Sequence, residues 1–182
     1  FLRDCGWIAH FPEIGNLIEC PQNPVWHPEG DVFEHTCHAV DAAVRVAREH
    51  ELEEKDRLAV MFGTLCHDFG KPATTIQREG KWVSSGHAQA GVSIAKCFLE
   101  RIDTSLRLNE QVLPLVEEHM CHVSWKGEMP SDRVILRLAR DLSPASLRNL
   151  AFVCEADASR RPPLGHHSPL CDALKRAAEL EV

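Results

Sequence analysis

Residues 58–72 read LAVMFGTLCHDFGKP, and this stretch decides the fold class. Apolar side chains surround the helix axis on every side from Leu58 to Cys66, a pattern that places a helix at the centre of a core built from other helices. The helix is expected over 56–69, with His67 and Asp68 near its end, Gly70 stopping it and Pro72 preventing its resumption. An ionised carboxylate at the end of a buried helix is costly unless a partner compensates it. His67 and Asp68, side by side, offer an imidazole nitrogen and a carboxylate oxygen to one cation.

Outward from this helix, apolar residues recur at helical rather than alternating spacing, which makes the chain all-α. Further helices are expected over 2–9, 12–19, 32–49, 86–102, 110–122, 132–141, 144–158 and 168–180, packed as a single compact multi-helix domain. A Pro-rich connector, CPQNPVWHPEG (20–30), precedes the helix at Val32, which Asp31 caps with Glu34 as its capping-box partner. On that helix Phe33, Cys37, Val40 and Val44 form one apolar side. Val32, Ala39, Ala42, Ala43 and Val46 form another, with His35 at its edge. Residues 73–84 read as a Gly-containing loop or small β-hairpin. The expected division is an N-terminal helical segment and connector over 1–24, the main domain over 25–165, and a C-terminal helix over 166–182 packing on it.

Asp157 repeats the anomaly of Asp68, because it shares the apolar face of Leu150, Val153 and Cys154. Taken singly, His35, His67, Asp68 and Asp157 each read as a hydrogen-bonded core residue or a cap. Together, two imidazoles and two carboxylates at buried helix positions point to a shared cation. The donor set suits Mn, Fe, Co, Ni or Zn, with Mg as a further candidate, and leaves positions open for water and a phosphate oxygen. His87 opens a helix after Ser84-Ser85-Gly86, where it would hydrogen-bond a substrate phosphate or hold a second metal. His119 is the other candidate for a second ion. It is preferred to His122, which is expected to be solvated, because Leu113, Leu115 and Val116 precede it on the apolar side.

Asp68, Lys71 and His87 are the expected catalytic groups. Asp68 would orient a water or accept its proton, while Lys71, His87 and Arg160 would bind phosphate and stabilise developing charge. Arg161 stands beside Arg160. Arg133, Arg137 and Arg140 form a stripe read as a solvated face. His166 and His167, in RPPLGHHSPL, are read as loop residues without chemistry, and His27 as either a turn residue or a neighbour of the site.

The order His35, His67-Asp68, His87, His119, Asp157 resembles that of the HD superfamily of metal-dependent phosphohydrolases. The stretches CPQNPVWHPEGDVFEHTCHAVDAA, LCHDFGKPATT, SSGHAQAG and CEADASRR resemble, over residues 10–165, the HD domain behind the polymerase core of bacterial CCA-adding tRNA nucleotidyltransferases. The resemblance implies an HD domain with His35, His67, Asp68 and Asp157 in the metal shell and His87 and His119 beside it. It implies one or two divalent transition-metal ions and hydrolysis of nucleotide or small phosphoesters, as a phosphatase, 2′-nucleotidase or 2′,3′-cyclic phosphodiesterase. It also implies a link to tRNA 3′-end metabolism, with tRNA as a partner. The Gly-rich motif and paired catalytic aspartates of the nucleotidyltransferase core are absent from these 182 residues. The chain is therefore expected to hydrolyse rather than to add CCA, either as a piece of a longer protein or as a stand-alone relative. Two rival readings are a non-catalytic HD scaffold that holds tRNA or a partner subunit, and an HD-type di-iron oxygenase.

Composition narrows the classes. A net charge of −7 gives no broad basic footprint for nucleic acid. No apolar run approaches the roughly 20 residues that span a bilayer, and no basic-then-apolar leader is visible, so no membrane partner is expected. None of the eight cysteines forms a CxxC pair. They read as small buried hydrophobes of a reducing cytoplasm, which is the expected location.

Overall fold

Capping side chains at Asp31, Ser105 and Ser146 set where three of the helices begin. The computed structural model describes residues 4–125, 127–160 and 169–180. A 3-10 turn at Trp7–His10 and the single-turn α1 (Pro12–Gly15) lead to the connector and then to α2 (Val32–Glu49) and α3 (Glu54–Cys66). One-turn α4 (Lys71–Thr74) and the hairpin β1 (Ile76–Arg78), β2 (Lys81–Val83) follow. The chain continues with α5 (His87–Arg101), α6 (Leu106–Glu118), α7 (Asp132–Leu142), α8 (Leu147–Asp157) and α9 (Pro169–Glu179). The described chain is thus mostly helical with one small antiparallel ribbon, as expected.

Asp31 caps α2 by accepting from the Glu34 amide at 2.9 Å, and its second oxygen takes the Glu19 amide at 2.7 Å. The hairpin turns through Glu79 and Gly80, both at positive φ (50° and 74°), the backbone that two-residue hairpin loops require. α3 packs on α2, α6 and α8 at the centre of the molecule. It joins two buried clusters, one through Ala59 and Val60, the other through Cys66 and the following Phe69. Leu17 and Cys20 from the N-terminal segment sit in the second cluster, and Ala173 and Ala177 of α9 in the first.

Several boundaries differ from expectation for local reasons. Helices over 2–9 and 12–19 reduce to two short turns, because Gly6 and Glu19 take left-handed backbone angles. α6 starts early because Ser105 caps it through the Leu108 amide at 3.3 Å, and α8 starts late because Ser146 caps it through Asn149 at 3.1 Å. On α2 the core face is Val32, His35, Thr36, Ala39, Ala42, Ala43, Val46 and Ala47. Phe33, Val40 and Val44 are half-buried and Cys37 is exposed, since the alanine-rich flank lets α3 and α8 approach more closely.

Gly70 does not end a helix in the left-handed conformation; its φ is −81° and α3 has already stopped at Cys66. Its role is close approach. A Cβ there would lie 2.0 Å from the His87 carbonyl oxygen and 2.6 Å from the Gly91 nitrogen, so α5 reaches the turn after α3 only because residue 70 lacks a side chain.

Arg137 and Arg140 both approach Asp141 on an exposed face of α7, which fits the solvated reading of that stripe. Cys5, Cys20, Cys37, Cys66, Cys97, Cys121 and Cys154 form no disulfide with one another, and burial pushes the Cys121 thiol up to about 12. Cys37 and Cys97 are exposed, so not every cysteine is the buried hydrophobe expected. Among the described residues no helix is long and apolar enough to cross a membrane.

Candidate metal centre

His67 and His119 are the residues that follow α3 and α6, where the last carbonyls of a helix lack partners. Each ring caps one of those carbonyls: His67 Nδ1 lies 2.6 Å from Thr64 O, and His119 Nδ1 lies 2.8 Å from Val116 O. His87, the first residue of α5, sets Nδ1 2.7 Å from Ser84 O. A carbonyl only accepts, so in all three rings Nδ1 carries the hydrogen and Nε2 turns a lone pair inward. His35, one turn into α2, faces Glu29 Oε1 through Nδ1 at 2.5 Å and Asp157 Oδ1 through Nε2 at 2.9 Å.

These side chains form two adjoining triads. In each of His35/His67/Asp157 and Asp68/His87/His119, the ligand atoms lie within 4.8 Å of one another. Asp68 connects them. Its Oδ2 is 3.1 Å from His67 Nε2 and 3.8 Å from His35 Nε2, while Oδ1 is 3.3 Å from His87 Nε2. All six residues are buried. Lys71 is buried too, with Nζ 2.7 Å from Asp68 Oδ2 and donating to Gln22 Oε1 at 3.0 Å.

Burial alone would raise the pKa of Asp68, but His67 and Lys71 hold it well below the usual carboxylate range. Burial would lower that of His67, yet the Asp68 and Asp157 carboxylates outweigh it and raise it. Burial lowers His119 to about 3 and His27 to about 4, and it also lowers His87.

The triads fit a divalent cation. His67 Nε2 is buried without a hydrogen bond, an orphan that costs on the order of 1–3 kcal/mol, and Asp68 Oδ2 beside it has the Lys71 ammonium as its counter-charge. His87 Nε2 and His119 Nε2 face each other at 3.0 Å with both hydrogens committed elsewhere, so two lone pairs meet unless a positive charge lies between or beside them. Imidazole nitrogen with carboxylate oxygen is the donor mixture of borderline divalent metals. The centre opens into a cleft of about 530 Å³ lined by Asp68, Lys71, His87, His119 and Asp157, with Trp26 and Trp82 at its walls.

All six ligand-type residues singled out from the sequence therefore come together, and Lys71 joins them. His27 is a neighbour of the site: its ring packs edge-on against His35, with centroids 4.5 Å apart. His122 is half-buried rather than solvated and does not line the cleft. The side chain of Arg160, and residues 161, 166 and 167, lie outside the described residues. Glu29 and Gln22 have no counterpart in the sequence reading. Both sit in the irregular connector CPQNPVWHPEG, where no periodicity marks a residue as inward-facing and only the family resemblance singled out the segment.

Residues 32–158 match the HD domain family. Among curated proteins, the chain is 34% identical over 173 residues to the Multifunctional CCA protein of Laribacter hongkongensis, covering 91% of this chain and 38% of that protein. It is 31% identical over 163 residues to the Multifunctional CCA protein of Cupriavidus metallidurans, covering 88% of this chain and 37% of the relative. The Acinetobacter baumannii protein of the same name matches at 31% over 165 residues. The chain thus spans well under half the length of these relatives. With most of its length matched, from the start of α2 to the end of α8, the chain belongs to the HD domain family, within the superfamily of metal-dependent phosphohydrolases.

Proposed function

We propose that this chain hydrolyses nucleotide phosphoesters, as a phosphatase, 2′-nucleotidase or 2′,3′-cyclic phosphodiesterase. The observation that carries the reading is Asp68, one buried carboxylate with an oxygen turned to each of two triads at the floor of an open cleft. His35, His67, Asp68 and Asp157 would hold a divalent ion, Mn, Ni, Co, Fe, Zn or Mg, and His87 and His119 a second. Such an ion supplies Lewis-acid polarisation of the P–O bond and a water of lowered pKa.

The remaining roles belong to the chain itself. Lys71 sits at the cleft wall beside Asp68, placed to donate to a phosphate oxygen and offset its developing charge. Where His87 holds no second ion, its Nε2 is the nitrogen that can meet a phosphate oxygen, since Ser84 holds the other. Asp68 orients the attacking water by accepting its hydrogen bond. Arg160 is proposed to hold phosphate. The CCA-protein relatives support a place in tRNA 3′-end metabolism, and the proposal takes residues 25–165 as the hydrolase unit and the cytoplasm as its location.

The test is elemental analysis together with hydrolysis of a 2′,3′-cyclic nucleotide, with and without added Mn or Ni. Stoichiometric metal and metal-dependent turnover are expected. Two irons without turnover would instead indicate the oxygenase, and no metal with no turnover the scaffold.

Glu29→Gln is expected to weaken metal binding by roughly 10–100-fold, the usual cost of losing a carboxylate that orients a ligating histidine. Isothermal titration with Ni would read it. An unchanged affinity would mean Glu29 does not act on His35.

The metal-free chain should lose stability on acidification. His119 and His27 stay neutral in the fold down to about 3 and about 4, against 6.5 ordinarily, so the unfolded state binds more protons below pH 6.5. His87 adds in the same direction, while His67, raised by Asp68, contributes stability that is lost as pH rises through its folded value. Three imidazoles outweigh one. The thermal midpoint of the chelated protein should fall between pH 7 and pH 5, and a rise over that interval would contradict the buried neutral rings.

A further inference from the structure

The floor of the cleft accounts for a phosphate group, but the two indoles at its walls have no part in that account. Resting on the phosphohydrolase reading, we propose that Trp26 and Trp82 form a base-stacking site that selects phosphoesters attached to a nucleobase over those that lack one.

Trp26 is 44% exposed, a large apolar side chain standing in solvent beside a polar cavity. Its position is nevertheless held. The Trp26 and His27 amides donate to Asn23 O at 3.1 and 2.9 Å, and the Val25 amide to Asn23 Oδ1 at 2.9 Å, a closed turn rather than a loose loop. The next residue, His27, packs on His35 of the centre. Trp82 is held from the other side. It pairs with Gln77 across the hairpin, and two residues on, Ser84 gives its carbonyl to His87 Nδ1 and its hydroxyl to Thr75 Oγ1 at 2.8 Å. Each indole is therefore tied, within one or two residues, to a ring of the metal centre.

All three residues of β1 are exposed and Trp82 and Val83 of β2 are half-buried outside both buried clusters, and a lone two-stranded hairpin is marginal by itself. What it does is raise Trp82 over the cleft. Indole faces bind any planar base by stacking, without reading its edge. The cleft volume of about 530 Å³ lies in the range of small-ligand sites. A net charge of −7 disfavours tracking along a polyphosphate backbone, so the site takes one nucleotide. That nucleotide is either free or the terminal residue of an RNA.

The test uses the metal-loaded chain and three substrates: a nucleoside 2′,3′-cyclic phosphate, a short RNA ending in the same cyclic phosphate, and glycerol cyclic phosphate, which has no base. Trp26→Leu and Trp82→Leu should each raise KM for the two base-bearing substrates about tenfold or more, with kcat within about twofold, and leave kcat/KM for the glycerol ester unchanged. Tighter use of the RNA than of the free nucleotide would assign the base to an RNA end, and equal use to a free nucleotide. Equal losses on all three substrates, or a wild-type chain that treats the glycerol ester as well as the nucleoside, would overturn the proposal and leave the phosphohydrolase reading standing. If no ester were hydrolysed, that reading would fall instead. Quenching of indole fluorescence by a nucleoside monophosphate, lost in the two Leu variants and not produced by glycerol phosphate, would then decide the stacking site alone, and no quenching would sink it.

Discussion

Replacing Asp68 with Asn is expected to abolish hydrolysis and to strip the chain of bound metal. The change keeps the volume of the side chain and removes its charge. Both triads lose at once, because Oδ2 faces His67 and His35 while Oδ1 faces His87. Metal affinity should fall by more than the 10–100-fold that loss of an outer-shell partner costs. The metal-free fold should weaken as well. Lys71 is 7% exposed, and with Asn at position 68 its ammonium keeps neutral amide oxygens near Nζ but loses its counter-charge. A buried charge left without its counter-ion costs about 3–5 kcal/mol, or roughly 10 °C in midpoint for a domain of this size. Asp68→Asn/Lys71→Met should recover much of that stability without recovering metal or activity. Elemental analysis, turnover and thermal melts of both variants separate the two roles, and hydrolysis surviving with the metal gone would refute the mechanism.

Gly70→Ala is expected to have the second largest effect, through geometry alone. The added methyl would stand 2.0 Å from His87 O and 2.6 Å from Gly91 N, and neither backbone atom can move without carrying α5 with it. Overpacking against backbone costs about 3 kcal/mol or more, a fall in midpoint of roughly 5–10 °C. The distinctive consequence is at the site. As α5 retreats, His87 leaves Asp68 Oδ1 and His119 Nε2, now 3.3 and 3.0 Å away, so the second triad opens while His35, His67 and Asp157 stay together. A chain that bound two ions should then bind one. Unchanged metal content and midpoint in Gly70→Ala would show that α5 docks with slack at this point.

Much of this was visible in residue patterns because the informative residues sit on helices or within two residues of a helix end. Apolar character all round 58–66 announces a central helix, and the structure surrounds α3 with α2, α6 and α8. His35, Asp68 and Asp157 stood out as polar groups where helical periodicity called for apolar ones, and all three are buried together. Lys71 was placed near the site by its distance from Asp68, yet its burial was not legible, since three residues of irregular chain have no defined facing.

Helical periodicity determined that the chain is all-α, and the order His35, His67-Asp68, His87, His119, Asp157, through its resemblance to the HD superfamily, marked the six ligand candidates. A period of 3.6 residues fixes which face of a helix is buried, and a costly group on that face needs a partner. Tertiary structure decided what lies between helices. It turned the two oxygens of Asp68 to different triads, brought Glu29 and Gln22 from the connector to His35 and Lys71, and used Gly70 as the point where α5 meets the turn after α3. Those relations depend on contacts between segments far apart in the chain, and no local pattern carries them, because a residue's spacing to its own neighbours says nothing of the backbone that will pack against it.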